Sequence, residues 1–210
     1  MEKSDTCACT PEELLDIITF PCGGLTMLPD TACDHVHPNI IISEEGIARN
    51  ISVLRRLKVT HVLNAAHGPQ EFQVNTDPAT YTKARIKFLG VDAMDFQNFQ
   101  LAPFFEEAAE FISDAVKSGG QVLVHCRQGI SRSATLVLAY LMLKEGMRAR
   151  DAVRAVRDKR NICPNDGFLQ QICDLDQQLL QKGHFNNLPD LAEGKSNANI
   201  EVENKGGQGQ

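Results

Sequence analysis

Cys126 and Arg132 are separated by five residues, with His125 ahead of the pair and Ser133 behind it. A loop of five residues can curl round a tetrahedral oxyanion with its backbone N–H groups turned inward, forming an anion-binding nest. Arg132 can close that loop with two parallel charge-assisted hydrogen bonds to phosphate oxygens, a geometry lysine cannot reproduce. The same positive field favours the thiolate of Cys126, whose pKa is expected well below the usual value of about 8.5. A thiolate beneath a bound phosphoryl group is a nucleophile in place. Gly129 permits close backbone approach. Arg127, Gln128, Ile130 and Ser131 are expected to supply mainly N–H groups, with their side chains directed outward. The hydroxyl of Ser133 can hydrogen-bond to the sulfur and ease its later departure from phosphorus, or serve as a helix N-cap. His125 is expected to order the loop through hydrogen bonds rather than to move protons.

A phosphoryl group that leaves a Ser, Thr or Tyr oxygen for sulfur leaves behind an oxygen that needs a proton. Two carboxylates upstream of Cys126, Asp92 and Asp95, share the loop that follows an apolar stretch at 86–91, and either could be that general acid. A positioned acid contributes about 10²–10⁴-fold. The same group would then act as base on the water that hydrolyses the thiophosphate.

These residues need elements to position them. Val122, Leu123 and Val124 are a short apolar run of the kind found in a strand buried on both faces, and Ala134 to Met142 reads as a buried helix. Strand, tight loop and helix start together aim N–H groups and the positive end of a helix dipole at one point. Upstream, Thr10-Pro11-Glu12-Glu13 is a helix start with a capping box, stopped by Pro21-Cys22-Gly23-Gly24. His35 to Ile42 reads as one strand, Ile47 to Leu57 as an amphipathic helix and His61 to Ala65 as a second strand. Gly68 to Lys83 reads as a polar loop and Leu101 to Val116 as a helix. Downstream, Ala149 to Arg160 and Asp166 to Gln181 are helical, the second capped by Asn165. Strands alternating with helices predict an α/β fold: a single domain with a central, mostly parallel sheet flanked by helices on both faces. The Cys126 loop then lies at the carboxyl end of a central strand, where such sheets bind ligands.

The bulk numbers bound the remaining possibilities. A chain of 210 residues with 42% hydrophobic content suits one domain and a tail, and a net charge of −6 argues against a nucleic-acid or membrane-surface binder. Residues 1–9 are expected to be a flexible N-terminus, with Cys7 and Cys9 frayed, 10–185 the catalytic domain, and 186–210 a disordered polar tail. The seven cysteines show no regular pairing and the first residues no apolar leader, so reduced thiols and an intracellular location, cytoplasmic or nuclear, are expected. His61 and His67 are expected to be ordinary strand-end and loop residues rather than metal ligands. The basic residues from Arg148 to Arg160 are expected to form largely a solvated helix face. Apart from Arg132, the loop holds a single basic residue, Arg127, which favours a phosphoprotein over an inositol lipid or an RNA 5′-triphosphate as substrate.

The run from His125 to Met142 resembles the cysteine-dependent protein phosphatases, whose signature His-Cys-x5-Arg-Ser/Thr is filled by His125, Cys126, Arg132 and Ser133. Ser-Arg-Ser-Ala-Thr-Leu-Val followed by Ala-Tyr-Leu-Met is similar to the dual-specificity branch, in its small atypical, vaccinia-phosphatase-related type. Thr60 to Ala66 and Asn165 to Leu169 extend the likeness, which covers about residues 10 to 183. The chain departs from the branch at Ile41-Ile42-Ser43, where Tyr-Val-Gly or Tyr-Leu-Gly is usual. The resemblance implies a phosphatase fold, no metal or other cofactor, and phosphorylated proteins as partners, MAP kinases among the candidates. The first helix reads as a packing flap; the resemblance offers it a second role in framing the substrate pocket, favours Asp95 over Asp92 as the acid, and implies that Arg160 lies near the pocket, able to receive a second phosphate. The rival reading is a non-catalytic adaptor that holds phosphoproteins without hydrolysing them.

Overall fold

The computed structural model describes residues 8–187. Its centre is β5 (Val122–His125), buried at all four positions. Around it the five strands take the order β1-β2-β5-β3-β4, where β1 is Cys33–His37, β2 Ile40–Ser43, β3 His61–Asn64 and β4 Lys87–Gly90. From β2 to β4 the sheet is parallel, with Ile41 opposite Leu123 and Leu63 opposite Val124, and only β1 runs antiparallel.

The period of two along each strand divides the core. Ile40, Ile42, Leu63, Val122 and Val124 face the larger half of the core. There they meet α1 (Pro11–Thr19), α5 (Phe105–Lys117), α6 (Arg132–Lys144), α7 (Ala149–Arg157) and α8 (Asp166–Gln181). Ile41, Val62 and Leu123 face the smaller half, roofed by α2 (Glu45–Ala48), α3 (Ile51–Arg56) and α4 (Pro78–Lys83). Helices therefore cover both faces, as expected. α6 is buried at every position from Arg132 to Leu143, so it is the hydrophobic axis of the domain and starts directly at the cysteine loop.

Three expectations of local structure change. The single strand over His35–Ile42 is a hairpin, because Pro38 has no N–H to give a ladder and Asn39 takes a left-handed φ of 63° that turns the chain back. The helix over Ile47–Leu57 is two, since Asn50 leaves helical geometry and accepts the N–H of Val53 at 3.2 Å as an N-cap. Within the expected loop 68–83, Asp77 and Pro78 start α4, whose Tyr81 is buried and donates to the carbonyl of Ala48 at 2.9 Å.

The capping box of α1 forms as read, but Cys9 is buried beside it rather than frayed, with its Sγ 3.0 Å from that of Cys173 on α8. The other expectations for the ends fall on 1–7 and 188–210, outside the described residues, while 184–187 form a short 3-10 turn. The basic stretch is also less solvated than expected. Arg148 holds the buried Asp176 with both arms, and that carboxylate in turn accepts the N–H of Ala149 at the start of α7. Arg150 pairs with Glu13, and Arg157 donates to the carbonyl of Ile18, so α7 fastens α1 to the domain.

Candidate active site

The loop between β5 and α6 is shaped from outside. The carbonyl of Arg127 accepts the N–H of Glu45 at 3.1 Å and that of Ile130 the N–H of Cys163 at 2.8 Å. Those of Gln128 and Gly129 accept from Arg160, at 3.2 and 2.8 Å. Four successive carbonyls are thus drawn outward, and the planar peptides turn the attached N–H groups to the inside of the loop. The N–H of Gly129 donates to the Cys126 sulfur at 3.2 Å. Gly129 has φ 69°, and a Cβ there would lie 2.5 Å from the carbonyl oxygen of Ser43, so the packed loop requires glycine.

Cys126 lies at the base of this loop, 2% exposed, with the Ser133 hydroxyl 3.3 Å from its sulfur. Burial pushes its thiol pKa up. The Arg132 charge, the Ser133 hydroxyl and the N–H groups of Ser133 and Gly129 outweigh that and bring it below the ordinary thiol value. His125 is fully buried; burial pushes its pKa down to about 4, and its Nδ1 lies 3.2 Å from the carbonyl of Cys126. A neutral ring that touches the loop backbone fits the ordering role.

Arg132 is 3% exposed, and its Nη1 donates to the carbonyls of Phe72 and Ala93, both at 3.0 Å. These come from the loops after β3 and β4, so three loops converge on one guanidinium. Its buried Nε has no hydrogen-bond acceptor among the described residues, although an Asp95 oxygen stands 3.5 Å away at ion-pair distance. A buried N–H without an acceptor at the rim of an N–H-lined loop suits a phosphate oxygen.

Asp95, Cys126, Arg127, Gln128, Ile130 and Arg132 line one cleft of about 410 Å³ together with Phe72 and Phe96. Asp95 accepts the hydroxyl of Ser131 at 2.7 Å and the Asn165 amide at 2.9 Å on the same oxygen. Its other oxygen is the one nearest Arg132. Asp92 is exposed and bonded to Gln73 instead. Ser131 therefore differs from expectation: its side chain is buried and directed at the acid loop. Arg127 and Gln128 are exposed, as expected, with the Arg127 guanidinium 5.9 Å above the Phe72 ring.

Arg160 does not face the cleft. It is 3% exposed and donates to the carbonyls of Gly129, Gln128 and Thr31 and to Asp34, which neutralises it at 2.5 Å. With its donors spent behind the loop, it is a brace and not a receptor for a second phosphate. Nor does α1 frame the pocket, since it packs on α7 and α8 while other elements line the cleft.

The start of α8 carries residues whose part in the site was not apparent from the sequence. Asn165 caps α8 through Oδ1, which accepts the N–H of Phe168 at 3.0 Å, leaving its amide for Asp95. At Gly167 a Cβ would lie 1.8 Å from the carbonyl oxygen of Gln97, so only glycine lets the acid loop seat here. Gln171 accepts the N–H groups of Leu101 and Ala102 at 2.7 and 2.8 Å and donates to the carbonyl of Phe99, fixing the exit of that loop. The Asn-Asp-Gly run was the available signal, but as a sequence it reads only as a helix cap.

The family model for the dual specificity phosphatase catalytic domain matches residues 40–178. The chain belongs to that family. It is 45% identical to dual specificity protein phosphatase 26 of Bos taurus over 155 residues, 72% of either chain, and 44% identical to that of Homo sapiens over the same span. Among solved structures it is similar to human DUSP28, with a TM-score of 0.61 and 26% identity over 73% of this chain and 99% of that one. It is also similar to the human tyrosine phosphatase-like serine/threonine/tyrosine-interacting protein, with a TM-score of 0.58 and 29% identity, covering 70% and 97% of the two chains. The dual-specificity phosphatase family thus accounts for the β5–loop–α6 unit and for the sheet around it.

Proposed function

We propose that this dual-specificity protein phosphatase works through a cysteinyl-phosphate formed on Cys126 and that Asp95 is its proton donor. The observation that carries this reading is the convergence of a thiol of lowered pKa, a buried arginine with an N–H to offer and a carboxylate in one cleft. In the first step the Cys126 thiolate attacks phosphorus, the bond from phosphorus to the Tyr, Ser or Thr oxygen breaks, and Asp95 gives that oxygen its proton. Arg132 and the inward N–H groups of Gln128, Gly129, Ile130 and Ser131 hold the equatorial oxygens as charge spreads over them. In the second step Asp95 takes a proton from water, the water oxygen bonds to phosphorus, and the sulfur leaves as a thiolate stabilised by the Ser133 hydroxyl. His125 remains neutral and keeps the loop in shape. This route draws its electrostatic stabilisation from protein groups alone.

The substrates under this reading are phosphoproteins, MAP kinases among them, met in the cytoplasm or nucleus where a thiolate stays reduced. Low basic charge around the loop supports phosphoprotein over inositol lipid, because Arg127 is the one basic side chain beside Arg132 in the cleft lining. Hydrolysis of an aryl phosphate in EDTA tests the chemistry. The wild-type chain should turn over, and Cys126→Ser, still folded, should fall to background. A folded wild-type chain that binds phosphate without turnover would favour the adaptor reading.

A further inference from the structure

Cys9 and Cys173 are 164 positions apart in the chain, yet their sulfurs lie 3.0 Å from each other. Both thiols are free and nearly buried, at 6% and 4% exposure, and neither lines the Cys126 cleft. Cys9 directly precedes Thr10, the N-cap of α1, and Cys173 belongs to α8. Bonded sulfurs stand about 2.05 Å apart, so closure of this pair asks for an approach of about 1 Å. The elements that carry the two residues are already packed. α1 rests on α8, and Arg150 and Arg157 of α7 hold α1 in place through Glu13 and the carbonyl of Ile18. The two sulfurs are also unlike. The Cys173 thiol, as hydrogen-bond partner, brings Cys9 below the ordinary thiol value against the effect of burial, and Arg150 adds to that. The same pairing, with burial, pushes Cys173 up. Cys9 is therefore the better nucleophile, and Cys173 the thiol that keeps its proton.

We infer that Cys9 and Cys173 are a modification site for hydrogen peroxide, closing to a cystine that staples α1 onto α8. In the first step the Cys9 thiolate attacks one peroxide oxygen. The O–O bond breaks, and the departing hydroxide takes up a proton to become water. Cys9 is then a sulfenic acid, oxidised by two electrons. In the second step the Cys173 sulfur attacks the Cys9 sulfur, the S–O bond breaks, and the hydroxyl leaves with the Cys173 proton as a second water. Two thiols and one peroxide thus give one cystine and two waters. A small oxidant suits a pair with so little exposed surface. A thiol already in contact also meets the sulfenic acid before a second peroxide can carry it to the sulfinic state. The staple grips the helix whose Asn165 and Gln171 tether the Asp95 loop, so it fastens the support of the acid and not the nucleophile.

The site stands apart from Cys126, and its test does not depend on turnover. Full-length wild type, Cys126→Ser, Cys9→Ala and Cys173→Ala are treated with hydrogen peroxide, remaining thiols are alkylated after unfolding, and digests are mapped unreduced by mass spectrometry. Wild type and Cys126→Ser should both show the Cys9 and Cys173 peptides joined within one chain, and either alanine substitution should abolish that product. Peroxide should raise the thermal midpoint of Cys126→Ser by about 5 °C or more, because the bond closes a loop of most of the chain. Dithiothreitol should reverse the rise, and Cys9→Ala should show none relative to its own untreated state. Full alkylation of Cys9 and Cys173 after peroxide would overturn the inference. So would Cys173 joined to Cys126 instead, or a Cys9–Cys173 cystine that leaves the midpoint where it was.

Discussion

The Cys126 loop and the Asp95 loop face each other across one cleft but are held in opposite ways. The first is set between its own strand and its own helix, and its carbonyls are braced from behind by Glu45, Arg160 and Cys163. The second is half-exposed and takes its position from the start of α8, far along the chain, through Asn165, Gly167 and Gln171. The nucleophile is fixed in a rigid nest, while the acid depends on a few long-range tethers. An anion site needs its N–H groups in register before the ligand arrives, whereas a proton donor need only reach one oxygen.

That contrast can be broken at its acid half first. Asp95→Asn should lower kcat about 10²–10⁴-fold on phosphopeptides, and less on aryl esters whose leaving group needs no proton. Alkylation of Cys126 as a function of pH, read in the same variant, should still titrate below an ordinary thiol, because Arg132, Ser133 and the loop N–H groups remain. Gly167→Ala pushes a Cβ into the Gln97 carbonyl and should displace the acid loop, costing about 10²-fold in kcat with little change in phosphate affinity. The nucleophile half fails differently. Arg160→Met removes the brace and leaves Asp34 unpaired, which should cost on the order of 3 kcal/mol in denaturant unfolding. The choice between singly and doubly phosphorylated peptides should not move, since Arg160 is buried behind the loop.

The smallest effect is that of pH on folding. His125 is neutral in the folded chain with its pKa pushed down to about 4, against about 6.5 when unfolded. As pH falls through that window the unfolded chain takes up a proton that the folded one refuses, so stability present above about 6.5 is progressively lost toward 4. At pH 5 the loss should be about 2 kcal/mol relative to neutral pH, and His125→Asn should show less of it in the same denaturation series.

The two loops also differ in how far they could be read from the sequence. The cysteine loop was legible because its determinants are contiguous: an apolar strand, a spaced Cys and Arg, one glycine and a buried helix. For the acid, two aspartates share one loop; the family resemblance favours Asp95, and the folded chain has Asp95 in the cleft and Asp92 on the surface. Arg160 read as a pocket cation open to a second phosphate because burial of a charge depends on acceptors that lie elsewhere, the carbonyls of Gln128 and Gly129 and the carboxylate of Asp34. The hairpin at Pro38-Asn39 and the break at Asn50 were missed because apolar periodicity continues through both, while the backbone obeys the missing N–H and the left-handed φ in one case and the cap in the other.

The central claim is a phosphoryl group carried on Cys126. The direct measurement is acid quench of Asp95→Asn during turnover of an aryl phosphate whose leaving group needs no proton, followed by mass spectrometry of the digested chain. The expected result is a single phosphoryl adduct on the peptide that contains Cys126, absent in Cys126→Ser. Steady release of phosphate with no adduct on that peptide, or with the adduct on another residue, would contradict the account.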